Sequence, residues 1–68
     1  MPLYYFEPEG PGWDYQDVDG IELLNDAQAL AYAHAIIREL KEDVDGERTV
    51  RMLVKNDLRE IIFSIPFK

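Results

Sequence analysis

The sequence contains no cysteine and only one histidine, and its first 37 residues include no lysine or arginine. Without cysteine the chain has neither a disulfide framework nor a thiolate zinc site, so a fold of 68 residues depends on packing or on oligomerisation. No run of about 18 apolar residues occurs, and the start lacks the basic and apolar regions of a signal peptide. These absences predict a protein without a membrane span, and a cytoplasmic location is expected by default.

Charge is distributed unevenly along the chain. The net charge is −7, and residues 1–37 account for all of it, because residues 38–68 carry equal numbers of acidic and basic side chains. A nucleic-acid binder needs a basic stripe that displaces counterions from phosphates, so DNA or RNA is not an expected partner. A basic protein would suit the acidic half of the chain.

The composition is nevertheless that of a folded chain. Apolar residues make up 47 % of the sequence and aromatic residues 12 %, which is enough to offset chain entropy by burial. The length allows one small core, so residues 1–68 are predicted to form a single domain.

The first half of the chain predicts two short strands. Leu3 to Glu7 is an aromatic and aliphatic run, and Pro8, which cannot donate to a ladder, is expected to close it. The breaker-rich segment 9–14 predicts an exposed loop. Asp19-Gly20 is a turn signal, and the alternation in residues 21–23 predicts a second strand beside the first.

A helix is predicted to begin after Asn25, an N-cap residue whose capping-box partner is Gln28. Alanine-rich spacing continues the helical pattern, and Asp45-Gly46 is expected to end it. The predicted apolar face comprises Ala27, Leu30, Ala31, His34, Ile37, Leu40 and Val44, widened by Ala29, Ala33 and Ile36.

Residues 48–66 predict a hairpin around Asn56-Asp57. With a two-residue loop, the helix-facing pairs are Val54 with Arg59, Met52 with Ile61 and Val50 with Phe63; the mixed face pairs Leu53 with Glu60 and Arg51 with Ile62. A four-residue loop is the alternative, because Asn-Asp is weaker than Asn-Gly in a tight turn. The fold class is therefore α+β, a single helix packed on a mostly antiparallel sheet in the order β-β-α-β-β.

The acidic segment 14–20 resembles a cation-binding loop in composition. An alignment of Gly20 with the EF-hand glycine places Tyr15 at the first ligand position and Asp26 at the twelfth, so the calcium motif is not met. Asp14, Asp17 and Asp19 remain the metal-ligand candidates. No cofactor is predicted.

No catalytic constellation is recognisable. His34 lies on the predicted apolar face, where a packed histidine is the favoured interpretation, and the hydroxyls of Thr49 and Ser64 lack the glycines of a nucleophile elbow. We therefore expect a protein that is not an enzyme.

Four apolar residues are candidates for contact with other chains. Trp13 lies in the Pro/Gly loop, where it either caps the core or serves as a binding anchor. Leu53, Leu58 and Ile62 are expected near one another on the second face of the sheet, where they would form the surface for self-association.

Several segments together resemble a known family. They are Met1-Pro2-Leu3-Tyr4-Tyr5-Phe6, Asp17-x-x-Gly20-x-Glu22-Leu23, the alanine-rich helix and Ile65-Pro66-Phe67. The resemblance is to short bacterial domains of unknown function from alphaproteobacteria. It implies a bacterial cytoplasmic protein and transfers no catalytic residue. The leading hypothesis is a non-enzymatic protein-interaction or regulatory module, with homodimerisation left open; the alternative is a divalent-cation or small-ligand binding protein that uses the Asp14 to Asp19 loop.

Overall fold

A computed structural model describes residues 1–10, 13–40 and 50–66, with Trp13 and Asp14 described by their backbone alone. Its elements are β1 (Leu3–Gly10), β2 (Trp13–Asp14), β3 (Ile21–Glu22), α1 (Asp26–Leu40), β4 (Arg51–Lys55) and β5 (Ile61–Pro66). All strand pairs are antiparallel, and one described helix packs on the sheet, so the α+β prediction is confirmed. The expected order β-β-α-β-β is incomplete, because β2 forms within the segment that was predicted to be a loop.

The order of strands in the sheet is β2-β1-β4-β5, and β3 also pairs with β1. The first strand is therefore central and is paired along both edges. On one edge it pairs with β4 from Tyr5 to Glu9. On the other edge it pairs with β3 at Leu3 and Tyr4 and with β2 at Glu9 and Gly10.

The prediction that Pro8 closes the first strand is wrong, because β1 continues to Gly10. The amide of Phe6 donates to the carboxylate of Asp17 and not to β4, so Phe6 points its backbone groups away from β4. Backbone direction alternates along an antiparallel strand, and Pro8 must point the same way. Proline is tolerated here because the missing amide would have faced away from β4.

The start of α1 follows the predicted capping pattern. The Oδ1 atom of Asn25 accepts the amide of Gln28 at 2.9 Å, and Oε1 of Gln28 accepts the amide of Leu24 at 2.7 Å. Reciprocal bonds of this kind satisfy amides that have no partner inside the helix. The predicted end at Asp45-Gly46 lies outside the described residues.

The predicted apolar face of α1 is rotated from the observed one. Ala29, Ala33 and Ile37 are buried, whereas His34 is exposed, as are Ala27 and Ala31. Ile37 was predicted on the apolar face, whereas Ala29 and Ala33 had been expected only to widen it. Because Ala29 and Ala33 have no accessible surface at all, the helix lies close to the sheet.

The second hairpin has a longer loop and a different register from the predicted one. Val54 pairs with Phe63 and Met52 with Ile65, and the register shifts between Val54 and Lys55. The predicted pairs with Arg59 and Ile61 are therefore wrong, as is the pairing of Leu53 with Glu60, since Leu53 pairs with Ser64. The physical cause lies in the loop, which an asparagine side chain organises from within. Oδ1 of Asn56 accepts the backbone amides of Leu58 and Glu60. The backbone amide of Asn56 donates to the Glu60 carbonyl.

The core lies between α1 and one face of the sheet. Val50, Met52 and Val54 are fully buried there, which confirms the predicted helix-facing side of β4. The buried cluster also includes Tyr4, Phe6, Ala29, Ala33 and Ile37. The opposite face of the sheet carries the charged groups.

In the parts of the chain that the structure describes, no helix has the length and apolar character to cross a membrane.

Candidate functional site

Two side chains of β1 are buried on the face of the sheet that points away from the helix. Tyr5 and Glu7 alternate with the core residues Tyr4 and Phe6, and the exposed fraction of Glu7 is only 6 %. Glu7 is the one buried charged residue among those described. A buried carboxylate requires charged or hydrogen-bonding partners, because the loss of hydration is costly.

The partners of Glu7 come from three parts of the chain. Oε1 accepts a hydrogen bond from Nζ of Lys55 at 2.7 Å. Oε2 accepts the backbone amide of Asp17 at 3.3 Å, and a terminal nitrogen of Arg59 lies 4.0 Å from the same oxygen. We call Tyr5, Glu7, Asp17, Lys55 and Arg59 the Glu7 cluster.

Asp17 holds its loop against β1. Its Oδ2 accepts the amide of Phe6 and its Oδ1 accepts the amide of Gly20, each at 3.1 Å. Arg59 donates to the backbone carbonyl of Asp17 at 3.3 Å, and its guanidinium carbon lies 4.1 Å from the centre of the Tyr5 ring. The second hairpin is thereby joined to the acidic loop by a hydrogen bond and a cation–π contact.

Gly20 makes the close approach of this loop possible. Its φ is +72°, and a Cβ atom at this position would lie 3.0 Å from Cε1 of Tyr5. Both the backbone conformation and the space favour glycine. The Asp-x-x-Gly spacing therefore serves the contact between the loop and β1.

The hydrogen bonds of the Glu7 cluster join β1 to the acidic loop and to the second hairpin. Both carboxylate oxygens of Glu7 and both of Asp17 accept hydrogen bonds from the protein itself. A general base needs an oxygen that can reach a substrate proton, and a metal ligand needs a free lone pair directed at the ion. The oxygens of these two carboxylates are directed at groups of the protein itself.

A model of one protein family matches residues 3–68, nearly the whole chain, and the family is described as a domain of unknown function, DUF6894. The chain belongs to this family. Comparison with curated proteins and comparison with solved structures give no match. The resemblance to a domain of unknown function is confirmed. The family description assigns no activity to this DUF6894 domain.

Of the metal-ligand candidates, the side chains of Asp17 and Asp19 are described in this DUF6894 domain. Asp17 is engaged by backbone amides, Asp19 is exposed, and the side chain of Asp14 lies outside the described part. Among the residues with described side chains, no group of three or more histidine, cysteine or acidic residues could hold a metal ion. His34 is exposed on α1 and lies apart from these carboxylates in sequence.

The four interaction candidates are placed differently from one another. Leu58 is exposed in the hairpin loop, whereas Leu53 is half-buried on β4. Ile62 packs against the core cluster, because the register shift of the hairpin separates it from Leu53. The expected patch of three residues is therefore not formed. The side chain of Trp13 lies outside the described part of this DUF6894 domain, so neither interpretation of it is tested.

Exposed apolar residues of the acidic loop were missed by the sequence reasoning. Val18 has 75 % of its surface exposed, the same fraction as Leu58, and Tyr15 is also exposed. The available signal in the sequence was the position of Val18 between Asp17 and Asp19. In the structure Asp17 turns inward and Asp19 does not. Alternation within a loop is a weak signal, because loop conformation depends on contacts from elsewhere in the chain.

Tyr4 connects the sheet to the start of the helix on the other face. Its hydroxyl donates to Oδ1 of Asp26 at 2.7 Å. This hydrogen bond to a carboxylate, together with burial, raises the pKa of Tyr4 to about 12. The phenol therefore stays protonated at neutral pH and acts in this DUF6894 domain as a structural donor.

Proposed function

We propose that this protein is a non-enzymatic interaction module that binds a basic protein in the bacterial cytoplasm. The binding surface is formed by Tyr15, Val18 and Leu58, which we call the two-loop surface. The single observation that carries the proposal is the exposure of Val18 and Leu58, each 75 %, on two loops that are fastened to each other. Exposed apolar side chains that are brought together from separate loops are typical of binding surfaces.

The two loops are joined at the residues next to the exposed side chains. Arg59 donates to the carbonyl of Asp17, so Leu58 and Val18 are each one residue from the contact. Asp17 is held by the amides of Phe6 and Gly20. A surface that is ordered before binding loses less conformational entropy when a partner binds, which raises affinity.

Acidic residues are close in sequence to the apolar residues of this surface. Asp19, Asp57 and Glu60 are exposed beside the apolar residues, and Arg59 is already committed to the Glu7 cluster. The first 37 residues add a net charge of −7 with no basic side chain. A basic partner would be steered to this surface, and its association would weaken as salt rises.

The cation-binding alternative receives less support. A divalent cation needs several oxygen ligands directed at it, and both carboxylate oxygens of Asp17 already accept backbone amides of the protein. The amides of Phe6 and Gly20 would lose these partners if Asp17 turned toward an ion.

The proposal is tested by affinity capture with the immobilised protein and bacterial lysate. We expect a basic protein to be captured at low salt and released between about 0.05 and about 0.5 M NaCl. The paired variant Val18→Ser/Leu58→Ser should lose the captured protein. Ala35→Ser, on the exposed side of α1, should retain it and is the control. Capture that survives high salt, or that the paired variant leaves unchanged, would contradict the proposal.

A further inference from the structure

The edge of β1 that faces away from β4 is covered, whereas the edge of β5 that faces away from β4 is the end of the strand order. Along the outer edge of β1, every second residue directs its backbone groups away from β4. Tyr4 pairs with β3, Phe6 donates to Asp17, and Gly10 pairs with β2. Pro8 has no amide to satisfy. Each outward amide of this edge is therefore either bonded or absent.

The outer edge of β5 has no such cover in residues 1–10, 13–40 and 50–66, where the strand order ends at β5. The amide of Asn56 donates to Glu60, so the even-numbered residues of β4 direct their backbone groups toward β5. Val54 pairs with Phe63, and Phe63 consequently points inward while Ser64 points outward. The amide and carbonyl of Ser64 are thus placed to pair with another strand.

The side chains of β5 are apolar and only partly covered. The strand contains no charged residue, and Ile61 has 57 % of its surface exposed. Phe63 and Ile65 face the core but are half-buried, because α1 lies over β4 and not over the edge strand. An additional strand beside β5 would cover these side chains and continue the apolar face.

We propose that two copies of this protein associate by antiparallel pairing of their β5 strands around Ser64. The pairing places Ser64 opposite Ser64 of the second copy and Phe63 opposite Ile65, so the paired strands bring no charged side chains of their own together. The Arg51 guanidinium, whose terminal nitrogen lies 3.2 Å from Oγ of Ser64, flanks this pair. The chain carries a net charge of −7, so two copies repel each other overall. Pairing through β5 brings together a strand that contains no charged residue and adds no charge of its own to this repulsion.

The inference is independent of the proposed partner, because it concerns the purified protein alone and uses residues outside the two-loop surface. The two associations also respond oppositely to salt. Binding of a basic partner weakens as salt rises. Self-association strengthens, since salt screens the repulsion between two acidic copies while the apolar contact remains.

The test is sedimentation equilibrium of the purified chain between about 10 µM and about 1 mM, a range in which weak dimers are detected. We expect a reversible dimer whose dissociation constant falls at high salt. Ser64→Lys places two positive charges directly opposite each other and should weaken the dimer about tenfold or more. Ser64→Pro removes the outward amide, together with the hydroxyl that accepts from Arg51, and should also dissociate the dimer.

Ala35→Lys is the control, because it adds the same charge at an exposed position on α1, away from the edge and from the two-loop surface. It should leave the dimer in place. Far-UV circular dichroism verifies that each variant is folded, and Ser64→Lys decides the outcome if Ser64→Pro fails to fold. A wild-type chain that remains monomeric throughout the range would overturn the proposal. Equal dissociation by Ala35→Lys and Ser64→Lys would overturn it as well.

Discussion

The ion pair between Lys55 and Glu7 offers the most direct test of the charged cluster. Lys55→Met keeps an unbranched apolar stem but removes the ammonium that lies 2.7 Å from Oε1 of Glu7. The carboxylate would retain the Asp17 amide at 3.3 Å and the more distant Arg59 at 4.0 Å. A carboxylate with an exposed side-chain fraction of 8 % would then be left undercompensated.

The expected cost follows from the burial of the two groups. Removal of one partner from a fully buried pair costs about 3–5 kcal/mol. The Lys55 side chain is 21 % exposed and Arg59 remains nearby, so we expect a lower cost of about 2–3 kcal/mol. A chain of this length has a total stability of roughly 3–10 kcal/mol, so the midpoint of thermal unfolding should fall by about 10–20 °C.

Urea unfolding followed by far-UV circular dichroism measures the effect. Glu7→Gln should cost less, about 1–2 kcal/mol, because the partly exposed Lys55 ammonium can turn to water. The double variant should be more stable than the sum of the two losses predicts, with a coupling energy of about 1–2 kcal/mol.

The matched control is Arg51→Met, which removes a positive charge from an exposed position on the same strand. It should change the stability by less than about 0.5 kcal/mol. A cost of Lys55→Met no larger than that of the control, or a coupling energy near zero, would refute the conclusion that the pair is an important contact of the fold.

Three further predictions concern single positions. Gly20→Ala should destabilise the fold by about 1–2 kcal/mol in urea unfolding, because it adds a Cβ 3.0 Å from the Tyr5 ring at a φ of +72°; full stability would contradict the tight approach of the loop. Asn25→Ala should cost about 1 kcal/mol through loss of the N-cap, whereas Asn25→Asp should be nearly neutral. Spectrophotometric titration should show Tyr4 ionising near pH 12. The unfolded chain releases this proton near pH 10, so stability should fall between about pH 10 and 12, and Asp26→Asn should remove this behaviour.

Features that depend on near neighbours in the chain were predictable. Asn25 and Gln28 specified the start of α1, since the bonds of a capping motif join residues three or four positions apart. The alternation in β4 specified which of its sides is apolar, and the structure buries Met52 and Val54 on that side.

The faces of the helix were less well determined. The helix carries apolar or small residues around most of its circumference, so the sequence pattern allows more than one stripe to meet the sheet. His34 was assigned to the core side and is exposed. The close packing of Ala29 and Ala33 against the sheet selects the observed rotation.

The sequence by itself determined that this is an α+β chain with a capped helix, an apolar side of β4 and an acidic first half. Only the tertiary structure decided that β1 continues through Pro8, that the second hairpin has a shifted register, and that Glu7 is buried with Lys55. The physical reason is the distance along the chain over which these features are set. Pro8 is tolerated because its pairing with Met52 of β4 turns the missing amide away from that strand, and Glu7 is compensated by a lysine 48 positions away. Pairings of this range leave no local periodicity in the sequence, since they exist only after the strands have been brought together.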